Sequence, residues 1–204
     1  MTVKITGANG KVGRLYLDSE NGYRLTALVE SCTFEYEIGQ QTILVTDRSM
    51  REYHGLFHEM PRDREFQYVD VGAGLGGFIP YLIEDLGVTK RPIVIDPCDY
   101  TQMREMLITA KQLVEGTGLQ YRIDLLLHRS EIYLDSSRVV LIQEPVRDAV
   151  QNHSEIAGIA DVVLDHWATG RYCHKDMRDA DTQILKTAQR EKGLFLIDPR
   201  YSNS

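Results

Sequence analysis

Tyr68-Val-Asp-Val-Gly-Ala-Gly-Leu-Gly-Gly-Phe78 is the stretch on which the reading of this chain turns. With Gln67, its first residues have the character of a short buried strand. An acid follows at Asp70, then glycines at 72, 74, 76 and 77. Beyond them Ile79, Leu82, Ile83 and Leu86 recur at helical spacing. Strand, glycine turn and helix in that order predict a site for a nucleotide-sized ligand. Glycines let the backbone approach a ligand closely, and a helix start presents unpaired N–H groups to it. Gly72, Gly74 and Gly77 fit the G-x-G-x-x-G spacing of dinucleotide sites. Asp70, two places before the first glycine, narrows the choice, because a carboxylate there would repel a pyrophosphate. It suits a cationic group such as the ammonium of an amino acid. The competing reading is a glycine turn that only packs a helix on a sheet.

From residue 66 onward strand-like and helix-like runs alternate, which predicts an α/β body with a mainly parallel sheet covered on both faces. The expected strands are 67–71, 92–96, 138–143, 160–165 and 194–198. The expected helices are 76–86, stopped by Gly87, then 101–115, about 147–157, and 178–192. Asp99 with Gln102 forms a capping pair before the second helix. Met103, Met106, Leu107, Ala110, Leu113 and Val114 share one face of that helix, and its methionines read as core filler. An additional amphipathic segment, 121–134, carries Ile123, Leu126, Leu127 and Leu134. A direct crossover does not require it; a lid and an oligomer contact are both open.

Asp96 falls 20 residues after Gly76, at the carboxyl end of the second strand, where open sheets bind ligands. A carboxylate there can accept two hydrogen bonds from a ribose diol, or it can cap the next helix. Asp165-His166-Trp167-Ala-Thr169 follows the fourth strand. His166 suits a general base, since histidine titrates near working pH, with Asp165 to orient it. The alternative is that Asp165 caps a turn while His166 and Trp167 pack. Trp167, Phe78 and Tyr172 are candidates for cation–π contact or for core. No metal is expected at Cys173 and His174.

Asp70-Val-Gly72-Ala-Gly74-Leu-Gly76 resembles motif I of the class I S-adenosylmethionine-dependent methyltransferases. The resemblance covers about residues 66–200 and is carried by the glycine loop, then by Asp96. It implies a Rossmann-like doubly wound fold, S-adenosyl-L-methionine as cofactor and direct methyl transfer. Carried over, it assigns Asp70, Gly72, Ala73, Gly74, Gly76 and Gly77 to the cofactor, with Asp96 and Pro97 at the ribose. Asp148-Ala149 becomes the candidate near the adenine, where Glu144 and Pro145 compete. Asp165 stands where the methyl acceptor meets the sulfonium. The stretch is not the N/D-P-P-Y/F tetrad of enzymes acting on base amines. A small-molecule acceptor is therefore favoured and nucleic acid is not. The family's sheet has seven strands, whereas about five are legible here, a shortened C-terminus. The N-terminal segment or a partner subunit, hence a possible homo-oligomer, is expected to protect the sheet edge. A non-catalytic, methyltransferase-like cofactor-binding or scaffold protein is the alternative. An NAD(P)-dependent oxidoreductase would need Asp70 beside phosphate and a catalytic pair that is not found.

Toward the N-terminus, Thr6-Gly-Ala-Asn-Gly-Lys-Val-Gly13 mimics the fingerprint of short-chain dehydrogenases. Asn9-Gly10 and Asn21-Gly22 are stronger as hairpin turns. The expected result is an antiparallel β extension, with strand-like runs from Val12 to Leu17, Tyr23 to Val29, Thr33 to Ile38 and Thr42 to Val45. Residues 48–60 read as a helix on which His54 and His58 lie four apart, without the glutamate of a zinc motif. The organisation expected is thus 1–47 β-meander, 48–65 helix and connector, and 66–204 ligand-binding domain. At 204 residues, 43% hydrophobic and net charge −7, a proper core is expected and a long phosphate-binding surface is not. Three widely spaced cysteines imply no disulfide framework. With neither a signal-like run nor a membrane span, a cytoplasmic location is expected.

Overall fold

The computed structural model describes residues 2–6, 12–16, 33–38, 41–46, 61–116, 120–165 and 175–197. In chain order the strands are β1 (Thr2–Thr6), β2 (Val12–Tyr16), β3 (Thr33–Ile38), β4 (Gln41–Thr46), β5 (Tyr68–Val71), β6 (Ile93–Ile95), β7 (Val140–Ile142), β8 (Ala160–Asp165) and β9 (Gln189–Ile197). The helices are α1 (Phe78–Pro80), which runs on as a π-helical segment (Tyr81–Leu86), then α2 (Tyr100–Val114), α3 (Gln120–Leu134), α4 (Val146–Asn152) and α5 (Lys175–Lys186). A 3-10 turn (Ser154–Ile156) follows α4. Two compact units divide the chain: Met1–Glu52 with Gly74–Gly77 and Cys98–Asp135, and Tyr53–Ala73 with Phe78–Pro97 and Ser136–Ser204.

The second unit holds a five-stranded parallel sheet in the order β7-β6-β5-β8-β9. Its three inner strands, β6, β5 and β8, are buried along their whole length, as expected of strands covered on both faces. Side chains alternate across such a sheet. Val69, Val71, Ile93, Ile95 and Val163 pack on one face with Ala149, Ile156 and Leu185 from the α4, 3-10 and α5 segments. Tyr68 points to the other face, where it meets the ring of Phe78 edge-on at 6.3 Å. Ile79 and Leu82 of the same helical segment are fully buried. Helices thus cover both faces, and the α/β architecture with a parallel five-stranded sheet is as expected.

In the first unit, β1 to β4 pair in chain order, each antiparallel to the next. Asp99 caps α2, its side chain accepting from the Gln102 N–H at 3.0 Å, as the capping pair predicts. Helices α2 and α3 pack antiparallel. Lys111 meets Asp124 at 2.6 Å and Arg104 meets Glu131 at 4.0 Å.

Three elements differ from expectation; one is the helix expected over about 147–157, since α4 ends at Asn152 and a 3-10 turn follows. The first helix starts at Phe78 rather than 76 and changes pitch after Pro80, which has no N–H to donate. It still ends at Gly87, whose φ of 67° lets its N–H reach back five residues to the Leu82 carbonyl. The helix expected over 178–192 stops at Lys186 instead, and β9 begins at Gln189. Gln189-Arg-Glu-Lys192 is a run of good helix formers, yet Gln189 already pairs with Ala160 of β8, and residues 190–193 bulge out before pairing resumes at Leu194. The register slips there: Ala160 pairs with Gln189 and Val162 with Leu194. No helix among the described residues is long and apolar enough to cross a membrane.

Candidate functional site

The carboxyl ends of β5, β6 and β8 gather the acids that the sequence singles out. Val71 lies level with Ile95 on one side and with Asp165 on the other. From β5 the chain first builds outward through β6 and β7, then returns to β8 on the opposite side. Between β5 and β8 the direction of winding therefore reverses, and in open α/β sheets ligands bind at that switch point.

Gly72 leaves β5 at φ 66°, in the left-handed region that favours glycine. Its N–H donates to the Ile95 carbonyl at 2.9 Å, tying the turn to β6. The Asp96 N–H in turn donates to the Ile142 carbonyl at 3.0 Å, which fixes the end of β6 against β7. Ala73 is buried, and Pro97 is half-buried.

Three carboxylates are buried at this edge: Asp70 at 0%, Asp96 at 3% and Asp165 at 1% exposure. Burying charge is expensive unless it is compensated. Carboxylates buried at strand ends beside a switch point are candidates for a functional site. Strand alternation separates two of them. Asp70 shares the face of Tyr68, while Asp165 shares the face of Val163. One residue apart in register, they present carboxylates to opposite sides.

Asp148 and Ala149 behave differently. Ala149 is fully buried in the apolar cluster with Val69, Val71 and Ile95, a packing position. Asp148 is exposed in the first turn of α4, where a carboxylate complements the helix dipole. His166, Trp167, Tyr172, Cys173, His174, His54 and His58 lie outside the described residues.

The rest of the glycine loop belongs to the first unit, where Gly74, Leu75, Gly76 and Gly77 are all buried. Each of three successive carbonyls is met by a side chain. The Tyr100 hydroxyl donates to Gly74 O at 2.7 Å, Arg129 Nη1 to Leu75 O at 3.0 Å, and the Tyr133 hydroxyl to Gly76 O at 3.0 Å. The two tyrosine rings are 5.0 Å apart. Sequence reasoning missed all three donors. The available signal was Arg129, a charged residue on the stripe Leu126, Ser130 and Tyr133 that the helical period puts inside.

No protein-family model and no curated protein matches the chain.

Proposed function

We propose that the chain binds S-adenosyl-L-methionine at the carboxyl edge of the parallel sheet and directs its methyl group to a small-molecule acceptor. The observation that carries this reading is the buried Asp70, two residues before the left-handed Gly72 at the switch point. Carboxylates at Asp70 and Asp96 suit an ammonium and a ribose diol, and they suit a pyrophosphate poorly. When bound, the cofactor supplies an activated methyl group on a sulfonium whose leaving thioether is neutral. The chain's own task is therefore placement, which alone can supply about 7–11 kcal/mol.

In this reading Asp70 accepts from the amino-acid ammonium, and Gly72 and Ala73 offer backbone at close approach. Asp96, with Pro97 beside it, accepts from the ribose. Gly74, Gly76 and Gly77 continue the loop, and Asp148-Ala149 is the adenine-side candidate. His166 is the base that takes a proton from the acceptor heteroatom, and Asp165 orients it. We further read residues 2–46 as an antiparallel β extension of a Rossmann-like domain, and the protein as cytoplasmic and homo-oligomeric.

A non-catalytic cofactor-binding protein is the second reading. It is favoured by Asp165, whose side chain lies on the sheet face opposite that of Asp70. Thermal-shift and calorimetric titrations with S-adenosylmethionine, S-adenosylhomocysteine and NADH test the choice. The proposal expects the adenosyl ligands to stabilise and NADH to have no effect. Stabilisation by NADH alone refutes it, and adenosyl binding without turnover on any acceptor pool supports the second reading.

A further inference from the structure

The glycine loop is held from behind by a helix that a minimal crossover does not need. Between β6 and β7 the chain runs through both α2 and α3. Each helix sends buried donors to the same three-residue segment: Tyr100 from the start of α2, Arg129 and Tyr133 from α3. Arg129 and Tyr133 stand four apart and so share one face of α3. Tyr100 and Tyr133 are 0% and 1% exposed, and Arg129 is 7% exposed. A guanidinium is costly to bury. It and both hydroxyls meet backbone carbonyls of one short loop, which is an unusual concentration of polar groups for a helix that only covers a core.

The geometry has a consequence for the other side of the loop. In a planar trans peptide the C=O of one residue and the N–H of the next point in opposite directions. Holding the Gly74, Leu75 and Gly76 carbonyls toward their donors therefore aims the N–H groups of Leu75, Gly76 and Gly77 away from them. Glycine-rich backbone has many alternative conformations to lose. The clasp removes that freedom before any ligand arrives, and preorganisation of this kind lowers the cost of binding.

We infer that Tyr100, Arg129 and Tyr133 are positioning residues. They set the conformation of the Gly74–Gly77 loop, and through it the affinity for the ligand, without touching the ligand. This rests on the adenosyl reading for the identity of the ligand but not for the clasp itself. The test uses the full chain with Tyr133→Phe, Arg129→Met, the milder Arg129→Lys and Tyr100→Phe, and Tyr121→Phe as a control on the exposed side of α3. Amide exchange in the ligand-free protein is expected to accelerate at least about fivefold at Leu75, Gly76 and Gly77, while β5 stays as protected as before. Arg129→Lys is expected to restore part of the protection that Arg129→Met loses, and Tyr121→Phe to change nothing. S-adenosylhomocysteine affinity is expected to fall about tenfold in Tyr133→Phe and Arg129→Met, the scale of one lost buried hydrogen bond. Unchanged exchange at the three amides, or equal acceleration throughout β5, overturns the inference. Failure of the unmodified protein to bind S-adenosylhomocysteine refutes the adenosyl reading instead, and the exchange measurement still decides the clasp.

Discussion

At Gly72 the backbone takes a φ of 66° while its N–H is committed to the Ile95 carbonyl. An alanine there must adopt a left-handed conformation at a cost of about 1–2 kcal/mol. Gly72→Ala is expected to lower the urea-unfolding free energy by about that amount and, if the edge binds the ligand as proposed, to reduce adenosyl-ligand affinity as well. Four residues earlier, Tyr68 reports on the other end of β5. Its hydroxyl lies 2.9 Å from both the Pro61 and Asp63 carbonyls. Burial above all, with nearby negative charge from Asp63 and Asp161 adding to it, pushes its pKa from 10.0 up to about 12. The fold thus favours the neutral phenol. That contribution to stability is fully present below pH 10 and is lost as pH rises through about 12. Tyr68→Phe is expected to cost about 1 kcal/mol at neutral pH and to flatten the alkaline limb of a stability–pH profile; an unchanged limb contradicts this. Asp70 and Asp96 were legible in the sequence because a carboxylate beside a glycine loop or at a strand end is chemically conspicuous. Arg129 was not, because its partner is a backbone carbonyl 54 residues away, and backbone groups leave no trace in residue type.

Among the elements, strand β9 shows where local propensity yields to pairing. Its first residues would extend α5, but Gln189 pairs with Ala160 of β8, and after a bulge over residues 190–193 the pairing resumes at Leu194. Gly193 is what allows the register to slip: a Cβ there would lie 2.6 Å from the Ala160 carbonyl oxygen. Gly193→Ala therefore forces backbone apart and is expected to destabilise the protein by about 1–3 kcal/mol, measured by chemical denaturation. A change under about 0.5 kcal/mol, the scale of an ordinary surface substitution, means that the strands do not approach this closely. The opposite case is α2, whose start at the Asp99 cap and whose inward-facing Met103 and Leu107 were readable. Helix α3 was readable as an element but not in its role, since a 3.6-residue period tells which face is buried and not what it is buried against.

For the molecule as a whole, the alternation of apolar runs with helical periods was enough to predict a parallel sheet covered by helices. Strand order was not predicted; it depends on contacts distant in sequence, and it is strand order that puts a switch point between β5 and β8. The acid at Asp70 and the topology around it then support one another, although they derive from independent features, a side-chain charge and a chain path. The most direct test of the account is isothermal titration of S-adenosylhomocysteine into the full chain and into Asp70→Asn. The substitution keeps the side chain's shape while removing its charge. Saturable one-site binding by the unmodified protein, weakened at least about tenfold in Asp70→Asn, is the expected result, since a charged hydrogen bond is worth about 1.5–3 kcal/mol. No binding, or equal binding by both proteins, contradicts the claim that a buried carboxylate at this edge receives the ligand's ammonium.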